Sequence, residues 1–274
     1  MSTFLQTVQE RVVVYDGAMG TNIQVRQPSP DDFWGKEGCN ELLVLSRPDI
    51  IRDIHASFLG VGCDVVETNT FGATRIVLGE YDLQDKVAEI NLAAVKLARD
   101  AATSFSDRQR FVAGSIGPTT KLPSLAHISF DDMAAAYEEQ TRALIQGGVD
   151  VLLIETCQDL LQAKAAVAGV FDAMNAEGKR LPVTVQVTIE STGTMLLGTE
   201  VGAALTALEP YDIDIIGMNC ATGPREMNDA VRYLGANSPK HVSVLPNAGL
   251  PQNVGGKAVY LLKPQELADY HKRF

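Results

Sequence analysis

The chain has 274 residues, 46% apolar and 21% charged, a composition with ample material for a large core and one that excludes a disordered protein. Its formal net charge of −11 argues against nucleic acid or an anionic membrane surface as partner, since both require a basic patch and no Lys/Arg cluster occurs. No apolar run approaches the roughly 20 residues needed to cross a bilayer.

The N-terminal MSTFLQTVQERVVVYDG reads as an amphipathic turn followed by a short apolar strand, Val12 to Tyr15, without the basic and long apolar regions of a signal peptide. Asn40 to Leu59 reads as loop and helix, with Ser46 or Asp49 as cap and Pro48 in the first turn. Gly62 to Thr68 is the second strand and Leu83 to Thr103 an Ala-rich helix of 3.6-residue period. Phe111 to Ser115 is the third strand, and Phe130 to Gly147 a helix capped by Ser129. Val149 to Ile154 is the fourth strand, followed by a helix over Asp159 to Asn175. Val183 to Ile189 is the fifth, then a Gly/Thr-rich loop and a helix over Val201 to Leu208. Ile213 to Met218 is the sixth, with a helix over Pro224 to Leu234. Val242 to Leu245 is the seventh, and Pro264 to Arg273 a last helix.

Strands and helices alternate without a linker, and the strands are continuous apolar runs, as in a parallel sheet covered on both faces. Polar residues gather at the strand C-termini, and neither G-x-G-x-x-G nor a P-loop is present. A (β/α)8 TIM barrel fits better than a doubly wound sheet. Only seven strands can be counted, so the expectation is one barrel domain over residues 1–274, truncated before its eighth strand.

In a barrel, residues at the strand C-termini share one mouth. Asp16, Glu67, Asn69, Ser115, Glu155, Cys157, Asn219, Cys220 and Asn247 fall in that group. Carboxylates there can take a ligand ammonium, and exposed N–H groups at Gly17 and Ala18 a carboxylate, which together suit an amino acid. Glu67 could instead face the helix layer. Gly17 and Gly20 follow a strand directly, where glycine permits positive φ and a close approach to ligand. Cys220 ends the sixth strand after Asn219 and before a Gly-Pro break, placed to ligate a soft metal or act as a nucleophile, or simply to pack. Cys63 precedes its strand and belongs at the opposite end, Cys39 lies in a loop, and His55, His127, His241 and His271 lack ligand spacing. The four cysteines form no C-x-x-C pair, so a reducing, cytoplasmic setting is expected.

Val14-Tyr-Asp-Gly-Ala-Met-Gly-Thr21, Asn40-Glu-Leu42 with Arg47-Pro-Asp-Ile50, and Glu67-Thr-Asn-Thr-Phe71 occur in that order. Gly114-Ser-Ile-Gly-Pro118, Ile154-Glu-Thr156, Gly217-Met-Asn-Cys220 and Pro246-Asn-Ala-Gly249 follow them. Together they resemble the homocysteine S-methyltransferase family, and within it the homocysteine-binding domain of the cobalamin-dependent methionine synthases. The resemblance implies a zinc-bearing barrel that activates the homocysteine thiol for methylation to methionine. Methylcobalamin is then the donor, carried by a separate domain and replenished from 5-methyltetrahydrofolate on a folate-binding module of the same larger enzyme. It implies Cys220 as a zinc ligand, Asp16 and Glu155 beside the substrate amino group, and the Gly17 and Ala18 backbone at its carboxylate. Ser115, Asn69 and Asn219 match mouth positions, and no catalytic side chain is assigned. The family's other two zinc ligands, a Cys-Cys pair in a Gly-Gly-Cys-Cys-Gly motif at the eighth strand, do not occur in this sequence and are expected beyond residue 274. Two other readings stand beside this one: a non-catalytic homocysteine- or methionine-binding barrel without a complete zinc site, and a barrel enzyme with Cys220 as covalent nucleophile and Glu155 as base.

Overall fold

The computed structural model describes residues 3–250, 252–254 and 257–274. Six parallel strands form one curled sheet: β1 (Val65–Glu67), β2 (Phe111–Ile116), β3 (Val151–Cys157), β4 (Val183–Val187), β5 (Ile215–Asn219) and β6 (His241–Leu245), paired in chain order. The connecting helices are α1 (Thr3–Glu10), α2 (Met19–Arg26), α3 (Leu43–Ser46), α4 (Pro48–Val61), α5 (Arg75–Gly79) and α6 (Val87–Thr103). They continue with α7 (Phe130–Gly147), α8 (Leu160–Ala176), α9 (Val201–Leu208), α10 (Pro224–Asn237) and α11 (Pro264–His271). An antiparallel pair, β7 (Gln252–Val254) and β8 (Lys257–Val259), precedes α11. The sequence reading missed this pair, although Gly255-Gly256 between short runs is a hairpin signal.

The first predicted strand is a correction. Val12 to Tyr15 contributes only one parallel bridge, Tyr15 to Val65, with Asp64 N and Val65 N donating to Val14 O and Asp16 N to Val65 O. The Val14 N–H goes instead to the Asp64 carboxylate at 2.9 Å, so one rung of a ladder is spent on a side chain. Val12 is 83% exposed. The sheet therefore has six regular strands rather than seven.

Alternation along the strands divides two cores. Val65, Phe111, Ala113, Val151, Leu153 and Ile215 point inward and pack on Phe4 of α1, whose ring meets Phe111 edge-on at 5.4 Å. Val112, Ile116, Leu152, Ile154, Val185 and Met218 point outward against α6, α7, α8, α9 and α10. Gly217 lets β6 lie against β5, because a Cβ there would collide with Ser243 O.

Helix limits follow their caps. Ser129 Oγ accepts from Asp132 N at 3.1 Å, as the sequence predicts, and Gly148 closes α7 in the left-handed region. Asp159 caps α8 in the same way. At α4 neither Ser46 nor Asp49 is the cap: Arg47 holds that position, Pro48 begins the helix, and Asp49 lies in its first turn paired with Arg47 at 2.6 Å.

Candidate functional site

The C-terminal ends of β1, β2, β3 and β5 carry one continuous polar network. Ser115, last inward residue of β2, donates from Oγ to Glu155 Oε1 at 2.6 Å. Asn219, at the end of β5, donates from Nδ2 to Glu155 Oε2 at 3.0 Å and to Thr156 Oγ1 at 2.8 Å. Its Oδ1 accepts from Thr156 N at 2.8 Å. Thr156 Oγ1 lies 3.6 Å and Asn219 Nδ2 3.5 Å from Cys220 Sγ. Ser115, Glu155 and Asn219 are all buried.

A bulge in β3 makes this possible. The register with β4 runs Ile154 to Val185 and then Cys157 to Val187, one residue extra on β3. Thr156 takes φ of 57°, a strained conformation for a β-branched residue, held by its bonds to Asn219. Glu155 keeps the inward phase of Leu153, while the extra residue turns Cys157 outward into the helix-packed core, away from the mouth where the sequence reading grouped it. Cys220 and Ala221 are left-handed as well, with φ of 59° and 52°. Three of the seven left-handed non-glycine residues among the described residues thus lie at the ends of β3 and β5.

Asp16 enters from the other side. Its two carboxylate oxygens accept from Glu67 N at 3.2 and 3.1 Å, fastening it to the end of β1. Glu67 shares the inward phase of Val65, so its side chain belongs to the mouth, which settles the alternative the sequence left open. Burial, then repulsion from Glu155 and Asp16, holds the Glu67 carboxyl well above the usual range. Burial does the same to Asp16, offset by the backbone bond from Glu67. Burial raises Glu155 too, and its bonds from Ser115, Thr156 and Asn219 pull it back. Burial also raises the Cys220 thiol, the reverse of what a covalent nucleophile needs.

Gly17 and Ala18 are exposed and lead into α2, a helix the sequence reading missed, with Ala18 at the N-cap. Neither Gly17 nor Gly20 uses positive φ, contrary to expectation; Gly17 is small because Phe58 lies 3.2 Å from the place of a Cβ. Asn69 is buried, and its amide donates to Asn40 O at 2.8 Å. Thr68 and Thr70 bolt the end of β1 to β2 through Ser115 N and Ser115 O, at 3.0 and 2.7 Å. Gly117 fits under Phe71, whose carbonyl lies 2.5 Å from where a Cβ would stand. Asn247 follows β6 half-buried, its N–H on Thr222 O at 3.1 Å. Cys63 lies at the opposite end of the sheet from Cys220, its carbonyl accepting from Arg110. His55 is buried in α4, His127 Nδ1 accepts from Leu122 N at 3.3 Å, and His241 and His271 are exposed.

Thr156 was outside the sequence reading because a one-residue bulge leaves no mark in an apolar run. Among the described residues no group of three or more His, Cys, Asp or Glu is arranged to hold a metal ion. No helix among them is long and apolar enough to cross a membrane.

Comparison with known proteins gives a consistent result. The sequence profile of homocysteine S-methyltransferase matches residues 13–274. Methionine synthases of Mycobacterium leprae and Mycobacterium tuberculosis are each 49% identical over 267 residues, 97% of this chain. The chain spans 22% of the length of these curated relatives. Among solved structures, the homocysteine methyltransferase MmuM of Escherichia coli in its metallated form superposes with a TM-score of 0.74 at 22% identity, over 89% of this chain and 86% of that one. Its oxidized form gives 0.74 at 21%, over 96% and 87%. The likeness establishes the TIM-barrel type of fold for the curled sheet. With its profile match running from residue 13 to residue 274, the chain belongs to the homocysteine S-methyltransferase family.

Proposed function

We propose that the mouth binds homocysteine and presents its thiol for methylation to methionine. One observation carries this reading: Ser115, Glu155, Asn219, Thr156 and Cys220 form a single hydrogen-bonded chain, which links a buried carboxylate held by Ser115 to a thiol at the other end. Glu155 and Asp16 are the acceptors for the ligand ammonium. The exposed N–H groups at Gly17 and Ala18, leading into α2, are the donors for its carboxylate. The ligand sulfur then lies toward Cys220. In the reaction a bond forms from sulfur to the methyl carbon, the bond from that carbon to the donor breaks, and the thiol proton leaves to solvent.

The resident metal of this reading is zinc, with Cys220 as one ligand. The residues present do not complete such a site: the other three cysteines are buried elsewhere, and among the described residues no ligand group of three is assembled. A structural or catalytic zinc takes three or four protein ligands. Zinc binding at Cys220 therefore calls for at least two further protein ligands. The methyl donor in this reading is methylcobalamin on a separate module, replenished from 5-methyltetrahydrofolate on a folate-binding module. Support for it is the 49% identity to methionine synthases several times longer than this chain. Four free cysteines are in keeping with a reducing, cytoplasmic setting.

The lack of an assembled ligand group favours one second reading, a homocysteine- or methionine-binding barrel without its own metal. Calorimetry on this chain with L-homocysteine and L-methionine tests both. Binding that falls at least about tenfold in Asp16→Ala and Glu155→Ala supports the mouth as the site. No binding heat in the unmodified chain would sink both readings. About one equivalent of zinc retained after dialysis would exclude the metal-free one.

A further inference from the structure

We propose that Glu67 is the third acceptor of a primary-ammonium clamp. With Asp16 and Glu155 it takes the three N–H donors of the ligand α-ammonium, and so sets selectivity for an unsubstituted amino group. The inference rests on the amino-acid reading of the mouth given above.

The three carboxyls differ in what the protein gives them. Glu155 receives Ser115 Oγ at 2.6 Å and Asn219 Nδ2 at 3.0 Å. Asp16 receives the Glu67 N–H. Glu67 receives no side-chain or backbone donor among the described residues, although it is half-buried on the inward face beside the other two. A carboxylate in that position is stabilised only by a donor that arrives with the ligand. The floor of the mouth gives a second sign. Thr184 is 1% exposed, and its hydroxyl makes no hydrogen bond except toward the neighbouring Tyr15 hydroxyl. The Tyr15 hydroxyl is buried too, and negative charge at Glu67, Asp16 and Glu155 opposes its ionisation. A hydroxyl pair thus lies under the carboxyls with acceptor capacity to spare.

An alkylammonium presents three N–H donors in tetrahedral directions. Two carboxylates leave one of them without a charged acceptor, and three carboxylates match all three. Each N-methyl group removes a donor and leaves a buried acceptor unpaired, the situation in which binding sites discriminate most strongly. The cation also relieves the repulsion that adds to burial in lifting Glu67 and Asp16.

The test is calorimetry on the full 274-residue chain with reduced L-homocysteine and its N-methyl and N,N-dimethyl derivatives. The expected result is a loss of about tenfold in affinity with each methyl group. A Glu67→Met variant, which keeps bulk and removes the acceptor, is expected to bind homocysteine about tenfold more weakly and to hold the N-methyl derivative within about threefold of it. Glu67→Gln, which retains an acceptor oxygen, should recover part of the discrimination. Equal binding of homocysteine and its N-methyl derivative by the unmodified chain overturns the clamp, whatever the variants do. So does a folded Glu67→Met protein that keeps full affinity and discrimination. If homocysteine binds and depends on Asp16 and Glu155 but discrimination is flat, this inference alone fails. If none of the three ligands binds, the amino-acid reading fails and the clamp with it.

Discussion

Asn219 holds the site together at the scale of single residues. Its amide satisfies the buried Thr156 N–H, steadies the Thr156 hydroxyl and donates to Glu155. Asn219→Ala should cost about 1–3 kcal/mol, because the Thr156 N–H is left buried without a partner; thermal and denaturant melts would measure it, and a change below a few tenths would contradict it. The carboxyls act in the opposite sense. Folded Asp16, Glu67 and Glu155 carry raised pKa values, so the native state binds more protons than the unfolded chain. Their contribution to stability is complete below the unfolded values and is lost as pH rises through the folded ones. Glu67→Gln should therefore raise the Tm at pH 7.5 by roughly 2–4 °C, with the gain shrinking toward pH 4. A gain that is equal at both pH values would refute this assignment. The same shifts bear on ligand binding. A cationic ligand lowers the three pKa values, releases protons and binds more tightly as pH rises through the raised folded values. Calorimetry in buffers of different ionisation enthalpy should register that release, and buffer-independent heats would exclude it.

The decisive elements are β3 and β5. The bulge at the end of β3 separates Glu155, in the mouth, from Cys157, in the helix layer, and sets Thr156 at φ of 57°. A sequence shows Ile154-Glu155-Thr156-Cys157 as one run, and strict alternation would send Glu155 and Cys157 to the same face. The Cys157 expectation failed at that step. Between β5 and β6 the deciding residue is Gly217, where the two backbones approach too closely for a side chain. Gly217→Ala should disrupt the β5–β6 pairing, since its Cβ meets Ser243 O, and soluble expression with an unchanged melt would disprove it. The first predicted strand collapsed to one bridge because Asp64 competes for its backbone N–H, and Val12 is left exposed. Neither is visible in the local pattern of Val12 to Tyr15.

At the scale of the whole molecule, six parallel strands wrap an inner core plugged by Phe4, with helices packed on the outer face. Among the described residues β6 pairs only with β5, and Val242 is 37% exposed. The mouth offers a thiol and three carboxyls, but among the described residues no group of three is arranged to hold a metal, so chelator treatment should leave the Tm of this chain unchanged. A fall of several degrees would show that these residues hold a structural metal after all. By itself the sequence determined the alternation of strands and helices, the family, and the placing of Ser115, Glu155, Asn219 and Cys220 at strand ends. Periodicity, caps and ordered motifs are local, and they survive in a linear string. Only the tertiary structure decided that Glu67 faces inward, that Cys157 does not, and that Thr156 joins Asn219 to the Cys220 thiol. Those outcomes depend on strand register, a one-residue bulge and competition between side chains and backbone for the same N–H, all of which arise from contacts between segments far apart in the chain.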